Sequence, residues 1–349
     1  MTAGALAAGS EPPRGVRLGS CTRPLCEAYD AALYDLDGVL YLGPEAVPHA
    51  AEAVAAATEA GMRGAFVTNN ASRPPVVVAA HLTELGIPAA PSDVVTSAQA
   101  TARLLREQVP AGAEVLVVGA AGLVDEVAAA GFVVVRTAGP SVAAVVQGYG
   151  ADTGMRELSE AAIAIRAGAT WIAANTDSTL PSPRGPVPGN GALVAALRVA
   201  TGREPQVAGK PEPALHAESV ARVRAQRPLV VGDRLDTDVL GAVRGGADSL
   251  LVLTGVSGID DAVAAPAGMR PTYLGWDLRA ITAPQPTVEI GDRSARCGTA
   301  QASYDDGRII VTGSGDGALQ AACALAWQCA DAGQILTDVV GLDRPASEK

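Results

Sequence analysis

Asp35-Leu36-Asp37-Gly38-Val39 decides how this chain is read: two carboxylates, one residue apart, at the end of the apolar run Ala31-Ala32-Leu33-Tyr34. The run predicts a short buried strand, and Gly38 marks the place where it turns. Residues i and i+2 of a strand point to one face. Both carboxylates are therefore expected at the strand's carboxyl end, the edge where open α/β sheets put their ligands. Two carboxylates this close repel unless a cation or a shared proton intervenes. The pair points to a metal site or to a nucleophile beside a general acid. A surface turn fits these five residues equally well.

Outward from that stretch, strand-like runs alternate with Ala-rich amphipathic stretches, the signature of a parallel α/β fold. After Ala31–Leu36 the pattern predicts a helix over 48–60, a strand over 64–68, a helix over 75–85, a strand over 93–96 and a helix over 98–108. Pro110-Ala111-Gly112 reads as a linker. A second series follows, with strands over 114–118, 133–136, 143–147 and 171–174 and helices over 123–130, 157–167 and 192–200. Residues 179–191 are dense in Pro and Gly and read as a loop with rigid turns. The first pattern then resumes, with helices near 213–224 and 238–245 and strands over 229–231 and 249–253. From about Gly275 the character changes: Pro284-Gln285-Pro286 reads as a linker, 288–290 and 308–311 as strands, and 318–330 as a helix. These roughly 75 residues are expected to form a separate α+β appendage, since the α/β pattern is complete without them.

Composition narrows the function. The 349 residues are 48% hydrophobic, mostly Ala and Val with two Phe, which suits helix-covered sheets. No apolar run approaches the roughly 20 residues needed to span a bilayer. The start lacks a basic segment followed by an apolar core, so residues 1–26 are expected to be a disordered tail rather than a signal peptide. A net charge of −11 disfavours nucleic acid and anionic membrane as partners. Five cysteines without a C-x-x-C pair give neither a zinc site nor a disulfide framework, so reduced thiols and a cytoplasmic location are expected. Only Lys210 and Lys349 are lysine among 26 basic residues. A chain that otherwise uses arginine has kept one lysine inside Gly209-Lys210-Pro211, and lysine is a compact point charge on a flexible stem.

Four strand ends or helix starts carry polar groups at comparable positions: Asp35 and Asp37; Thr68-Asn69-Asn70; Lys210 before a helix; and Gly232-Asp233-Arg234-Leu235-Asp236-Thr237-Asp238. Hydrolysis of a phosphoester without a serine–histidine pair needs this inventory of carboxylate nucleophile, general acid, oxyanion donors, cation and hard-metal site. Carboxylate ligands without Cys or His point to Mg²⁺.

These four motifs, in this order, resemble those of the haloacid dehalogenase superfamily, and more narrowly its phosphatases with a large α/β cap inserted between the second and third motifs. That branch includes nitrophenyl, phosphoglycolate, pyridoxal and actinobacterial glycerol-3-phosphate phosphatases. The resemblance covers about Glu27 to Tyr273, with Gly148-Tyr-Gly-Ala-Asp152 and Ala174-Asn175-Thr-Asp177…Pro188-Gly-Asn-Gly191 as its cap signature. Val39 stands where the wider superfamily commonly has Thr, as is frequent in the capped branch. The resemblance implies a Rossmann-like parallel-sheet core over 27–108 and 205–273 and an α/β cap over 109–204, which leaves the appendage over 274–349 outside it. It implies Asp35 as nucleophile, Asp37 as general acid and base, and Mg²⁺ held by Asp35, the Asp37 backbone carbonyl and Asp233. Thr68, Asn69, Asn70 and Lys210 would hold phosphoryl oxygens. Asp238 fits either a role orienting Lys210 or a metal-bound water, or that of a helix N-terminal acid.

A cap that closes over the site favours small soluble phosphomonoesters. Its loop Asn175–Leu180, with Asp177 and Leu180, offers hydroxyl, amide and carboxylate groups and no aromatic ring, which favours a polyol phosphate such as glycerol 3-phosphate over a pyridoxal or nucleobase ligand. Phosphoglycolate, pyridoxal or nucleotide phosphatase activity is the alternative. Two glycine-rich stretches stand outside this scheme. Val115–Gly122 lacks the middle glycine of a dinucleotide fingerprint, with Ala121 in its place. Gly313-Ser-Gly315-Asp-Gly317 opens a helix in a tail that distantly resembles part of an acetyltransferase fold without a complete acyl-CoA loop. A structural or oligomerising element is expected there, with a ligand-sensing module as the alternative.

Overall fold

The computed structural model describes residues 17–180 and 184–343. Ala31–Asp35 is the pivot of a six-stranded parallel sheet. Its strands run in the order Tyr273–Gly275, Asp248–Val252, Pro228–Gly232, Ala31–Asp35, Arg63–Thr68, Val94–Thr96. The first four residues of Ala31–Asp35 are buried, as expected for a strand covered on both faces. Tyr34 stacks on Phe66 of the neighbouring strand, ring centroids 6.0 Å apart. The chain leaves Ala31–Asp35 toward Arg63–Thr68 on one side and returns to Pro228–Gly232 on the other. That reversal opens a crevice at the carboxyl ends, the usual ligand site of such sheets. Register aligns Asp35 with Val67 and Tyr34 with Val231, so Thr68 and Asp233 follow beside Asp35.

A second sheet, also parallel, has the order Gln206–Val207, Thr170–Ala173, Val142–Gln147, Glu114–Val118, Val133–Val135. Helices Ala121–Ala129, Met155–Arg166 and Asn190–Thr201 accompany it. An apolar cluster running from Leu33, Ala65 and Val67 through Leu104, Leu105 and Val109 to Val115, Val117 and Ile172 joins it to the central sheet. Its edge strand Gln206–Val207 lies past residue 204, where the cap was expected to end, because cap pairing continues until the chain re-enters the core. Residues 179–191, expected as a loop, include a short antiparallel pairing of Thr179–Leu180 with Val187–Pro188. Residues 181–183 lie outside the described residues.

Two expectations need correction. The disordered tail was expected to extend through residue 26, but residues 17–26 are tied down. Gly19 N–H donates to the Thr272 carbonyl at 2.8 Å, Cys21 pairs with Gln285 through two backbone hydrogen bonds, and Leu25 is fully buried. Residues 1–16 lie outside the described residues. The C-terminal unit is α+β as expected, but it is not a separate appendage. Its five strands Glu289–Ile290, Ser294–Cys297, Ala300–Asp305, Arg308–Thr312 and Asp338–Val340 pack under the helix Asp316–Asp331. Leu319, Cys323 and Trp327 of that helix share one buried cluster with Leu251, Leu253, Leu274 and Trp276 of the core. Pro284-Gln285-Pro286 is not a free linker either, since Gln285 is buried and its Oε1 accepts Gln320 Nε2 at 2.7 Å. Three of these strands escaped the sequence reading. Ala300-Gln-Ala-Ser-Tyr-Asp305 buries alanine and exposes polar residues, and alanine carries little strand signal.

Candidate active site

The crevice at the carboxyl edge holds a cavity of about 400 Å³ lined by Asp35, Asp37, Thr68, Asn69, Asn70, Asp177, Leu180 and Lys210. Asp233 and Asp238 are buried beside it, with carboxylate oxygens within 4.8 Å of one of Asp35. All ten residues expected from the sequence therefore converge. Asp35 ends its strand and Asp37 sits in the turn that follows, where Gly38 adopts φ +90°. A Cβ on Gly38 would collide with the Asp233 carboxylate, so that turn admits no side chain. Thr254 Oγ1 fixes the turn by donating to the Gly38 carbonyl at 2.5 Å.

Lys210 Nζ donates to Asp35 Oδ1 at 2.5 Å and to Asp238 Oδ1 at 2.7 Å. Burial alone would lower the Lys210 pKa, but Asp238 and then Asp35 outweigh it and hold the ammonium above the usual lysine range. Asp238 also accepts the Arg234 backbone N–H at 3.1 Å on Oδ2. This geometry favours its orienting role over that of a simple helix N-terminal acid. It sits in a single π-turn, Leu235–Val239, that precedes the helix Leu240–Gly245, a local widening often found at functional sites.

Burial raises the Asp35 carboxyl, against the pull of Lys210, and raises Asp37 against Arg73, Lys210 and His81. A raised Asp37 is a carboxyl poised to carry a proton. Asp233 is pushed up to about 8 by burial and by the charges of Asp238 and Asp35. Its Oδ2 accepts Val256 N–H at 2.6 Å, while Oδ1 is buried with no partner among the described residues. Carboxylate oxygens of Asp35, Asp233 and Asp238 lie within 4.8 Å of one another. An all-oxygen set with one buried, unsatisfied acceptor suits a hard divalent cation such as Mg²⁺. Asp35 and Asp233 are the members best placed to hold it, because the Asp238 carboxylate is committed to Lys210 and the Arg234 backbone.

Thr68 Oγ1 accepts the Asn70 N–H at 3.0 Å, which leaves its own proton available to an oxyanion. Asn70 Oδ1 is occupied by Ser72, from both N–H and Oγ. Five further wall residues were not assigned to the site from the sequence: Tyr149, Asn190, Arg234 and Thr237, which stand inside the motifs quoted above, and Val256, which does not. Tyr149 supplies an aromatic surface that the 175–180 loop lacks. Arg234 forms a two-pronged ion pair with Asp236, at 3.0 and 2.8 Å, so its charge is largely spent. The segment after the strand Asp248–Val252 was also missed. Ser257 N–H donates to the Asp233 carbonyl and Ser257 Oγ accepts Leu235 N–H, which braces the acidic loop. Only the pairing of sheet neighbours could have revealed it, since Thr254-Gly-Val-Ser257 has no distinctive pattern.

Gly313-Ser-Gly315-Asp-Gly317 is placed elsewhere, within the C-terminal unit. Asp316 Oδ1 accepts the Trp276 backbone N–H at 3.0 Å, and a Cβ at Gly313 would touch Ala300 at 2.8 Å. The glycines there permit close packing.

Comparison with known proteins agrees with this geometry. Family models described as haloacid dehalogenase-like hydrolase and HAD-hydrolase-like match residues 32–133 and 207–281. The chain is 48% identical over 304 residues to the D-glycerol 3-phosphate phosphatase of Mycobacterium tuberculosis, covering 83% of this chain and 85% of that protein. It is 37% identical over 252 residues to an acid sugar phosphatase of Staphylococcus aureus, covering 72% and 95%. The crystal structure of the Mycobacterium tuberculosis glycerol phosphate phosphatase in complex with magnesium superposes with a TM-score of 0.79 at 43% identity, covering 93% of this chain and 97% of that one. Four motifs converging on one crevice and relatives of this similarity give the same answer: the chain belongs to the haloacid dehalogenase-like hydrolase family.

Proposed function

We propose that this protein is a Mg²⁺-dependent phosphatase that converts glycerol 3-phosphate to glycerol and inorganic phosphate through an aspartyl-phosphate on Asp35. The observation that carries the reading is the joint placement of Asp35, Asp37, Thr68 and Lys210 around one cavity that Asp177 of the cap loop also lines. An Asp35 oxygen attacks phosphorus as the bond to the substrate's alkoxy oxygen breaks, and Asp37 gives its proton to that oxygen. Water then attacks the phosphoryl group, Asp37 takes back a proton, and the Asp35–phosphorus bond breaks to release phosphate. Lys210 and Thr68 stabilise the equatorial oxygens throughout. Bound Mg²⁺ supplies positive charge that offsets repulsion between carboxylate and phosphate.

The leaving-group preference rests on Asp177. Its half-buried carboxylate can accept hydrogen bonds from hydroxyl groups and would repel a second carboxylate, which favours a polyol over phosphoglycolate. Arg234 does not reverse that preference, because Asp236 already engages it. Tyr149 is the one feature that suits an aromatic leaving group, and the test must include one. With Mg²⁺ present, kcat/KM should be highest for glycerol 3-phosphate among glycerol 3-phosphate, phosphoglycolate, pyridoxal 5′-phosphate and p-nitrophenyl phosphate. A higher value for pyridoxal phosphate or phosphoglycolate overturns the assignment. No helix among the described residues is long and apolar enough to cross a membrane. All five cysteines are free, which supports a reducing, cytoplasmic setting. The net charge of −11 supports a small-molecule substrate rather than nucleic acid or membrane as partner.

A further inference from the structure

Asn69 was expected to hold phosphate, yet its side chain is occupied. Oδ1 accepts the Lys210 backbone N–H at 2.7 Å, and Nδ2 donates to the Lys210 carbonyl at 3.2 Å and to Asp177 Oδ1 at 3.3 Å. The Asn69 backbone carbonyl accepts Asn175 Nδ2 from the cap at 2.7 Å and Ser97 Oγ from the core at 2.5 Å. One residue thus grips Lys210 by both main-chain groups and touches the cap loop with both side chain and backbone. Lys210 itself hangs from the cap. Gln206–Val207 pairs with Ile172 and Ala173, Ala208 N–H donates to the Ala173 carbonyl at 2.9 Å, and Lys210 follows two residues later. At Gly209 between them, a Cβ would lie 2.6 Å from both Asn69 Oδ1 and the Ala174 carbonyl. Three segments therefore meet where no side chain fits: the end of a cap strand, the loop after Arg63–Thr68, and the strand-to-core link that carries Lys210.

Resting on the phosphatase reading above, we propose that Asn69 is a positioning residue that couples the seating of the cap loop Asn175–Leu180 to the placement of the Lys210 ammonium beside Asp35. A lysine side chain is flexible, so its tip is held only as well as its backbone. A planar amide offers an acceptor and two donors. It can hold the N–H and C=O of one residue and still give a hydrogen to Asp177; serine is too short for this and aspartate has no donor. A leaving group that seats the cap loop badly then shifts Lys210 and loses turnover as well as affinity.

The test is a double-mutant cycle on the full chain, Asn69→Ala against Asp177→Ala, read in kcat for glycerol 3-phosphate, with inorganic phosphate as product inhibitor. Misplacement of a catalytic group by about 1 Å costs on the order of 10²-fold. Asn69→Ala should therefore lower kcat roughly 30- to 100-fold while changing phosphate inhibition by less than about threefold. The double variant should fall within about threefold of the worse single variant. If phosphate inhibition weakens in proportion to activity, Asn69 holds phosphate directly and the proposal fails. It also fails if the two losses multiply. Gly209→Ala drives a methyl into the same junction and should show the same pattern by a separate route; full activity there overturns the proposal even if Asn69→Ala does not fold. Wild-type release of phosphate from glycerol 3-phosphate and from p-nitrophenyl phosphate with Mg²⁺ separates the two readings, because a wild type inactive on both sinks the phosphatase assignment and leaves nothing for Asn69 to couple.

Discussion

Two loops in this molecule are written in nearly the same local grammar and do opposite things. Gly232–Asp238 follows a buried strand, carries acids among turn residues and leads into a helix. Gly313–Gly317 follows Arg308–Thr312, carries one acid among glycines and opens the helix Asp316–Asp331. In the first, Asp233 and Asp238 are buried with like charges around them, and Asp233 Oδ1 has no partner among the described residues. Such an arrangement costs stability unless a cation or a substrate repays it. In the second, Asp316 bonds a backbone N–H, and Gly313 and Gly317 let the segment pack closely on Ala300 and Cys297 of the neighbouring strands. Unsatisfied charge marks the catalytic edge, and satisfied packing marks the C-terminal unit. A strand–glycine–acid–helix pattern alone therefore does not identify a site; its neighbours do.

The contrast can be broken from either end. The largest effect is expected from truncation after Gly275, which removes Trp276 and the helix Asp316–Asp331 and so uncovers Leu251, Leu253 and Leu274. No soluble, cooperatively melting protein should result, as checked by light scattering and calorimetry. An active, soluble truncation would return the C-terminal unit to the status of a separate appendage. Asp35→Asn comes next. It should reduce Mg²⁺-dependent kcat by about 10³-fold or more while moving the melting midpoint by no more than about 3 °C. Retained turnover would contradict the nucleophile assignment. Lys210→Arg keeps the charge but not the shape of the group between Asp35 and Asp238, and should cost about 10²-fold in kcat. A fully active variant would mean that charge alone suffices there.

The smallest effect belongs to the C-terminal side. Arg270, nearly buried, forms a two-pronged ion pair with the half-exposed Asp331 at 2.7 Å. Asp331→Asn should destabilise by about 1–2 kcal/mol, below the 3–5 of a fully buried pair, and leave kcat unchanged. Arg270 holds the Asp331 carboxyl below its usual 3.8. The stabilisation is therefore complete above that value and is lost as pH falls through the lower folded-state pKa. The stability gap between wild type and Asp331→Asn, measured by urea unfolding, should close as pH falls from 3.8 through the lowered folded-state pKa of Asp331. A gap that persists in acid would assign the effect to packing rather than charge.

Much of the core was legible because its signals are local. Ala31–Asp35 is a continuous apolar run that ends in an acid, and Thr96 with Gln99 forms a capping box that starts Ser97–Gln108 within a residue of the expected place. The C-terminal sheet was less legible, because its buried face is built from alanines that favour helix as readily as strand. Residues 17–26 looked like a tail for a similar reason. Their order comes from pairing with Thr272 and Gln285, some 250 residues away. Leu25 alone gives no hint of that contact.

The site divides in the same way. The chemical types needed for phosphoryl transfer, namely paired aspartates, a threonine, a lone interior lysine and an acidic loop, stand in the sequence with their order intact. They follow from what each side chain can donate, accept or carry, which does not depend on the fold. Tertiary structure alone decided which groups are already spent. Asn69 grips Lys210 and the cap, Arg234 is paired with Asp236, and Asp238 is committed to the lysine, while Asp233 keeps an open valence. Hydrogen-bond satisfaction is a property of neighbours brought together by packing, so the sequence supplies the reagents and only the fold determines which remain free to react.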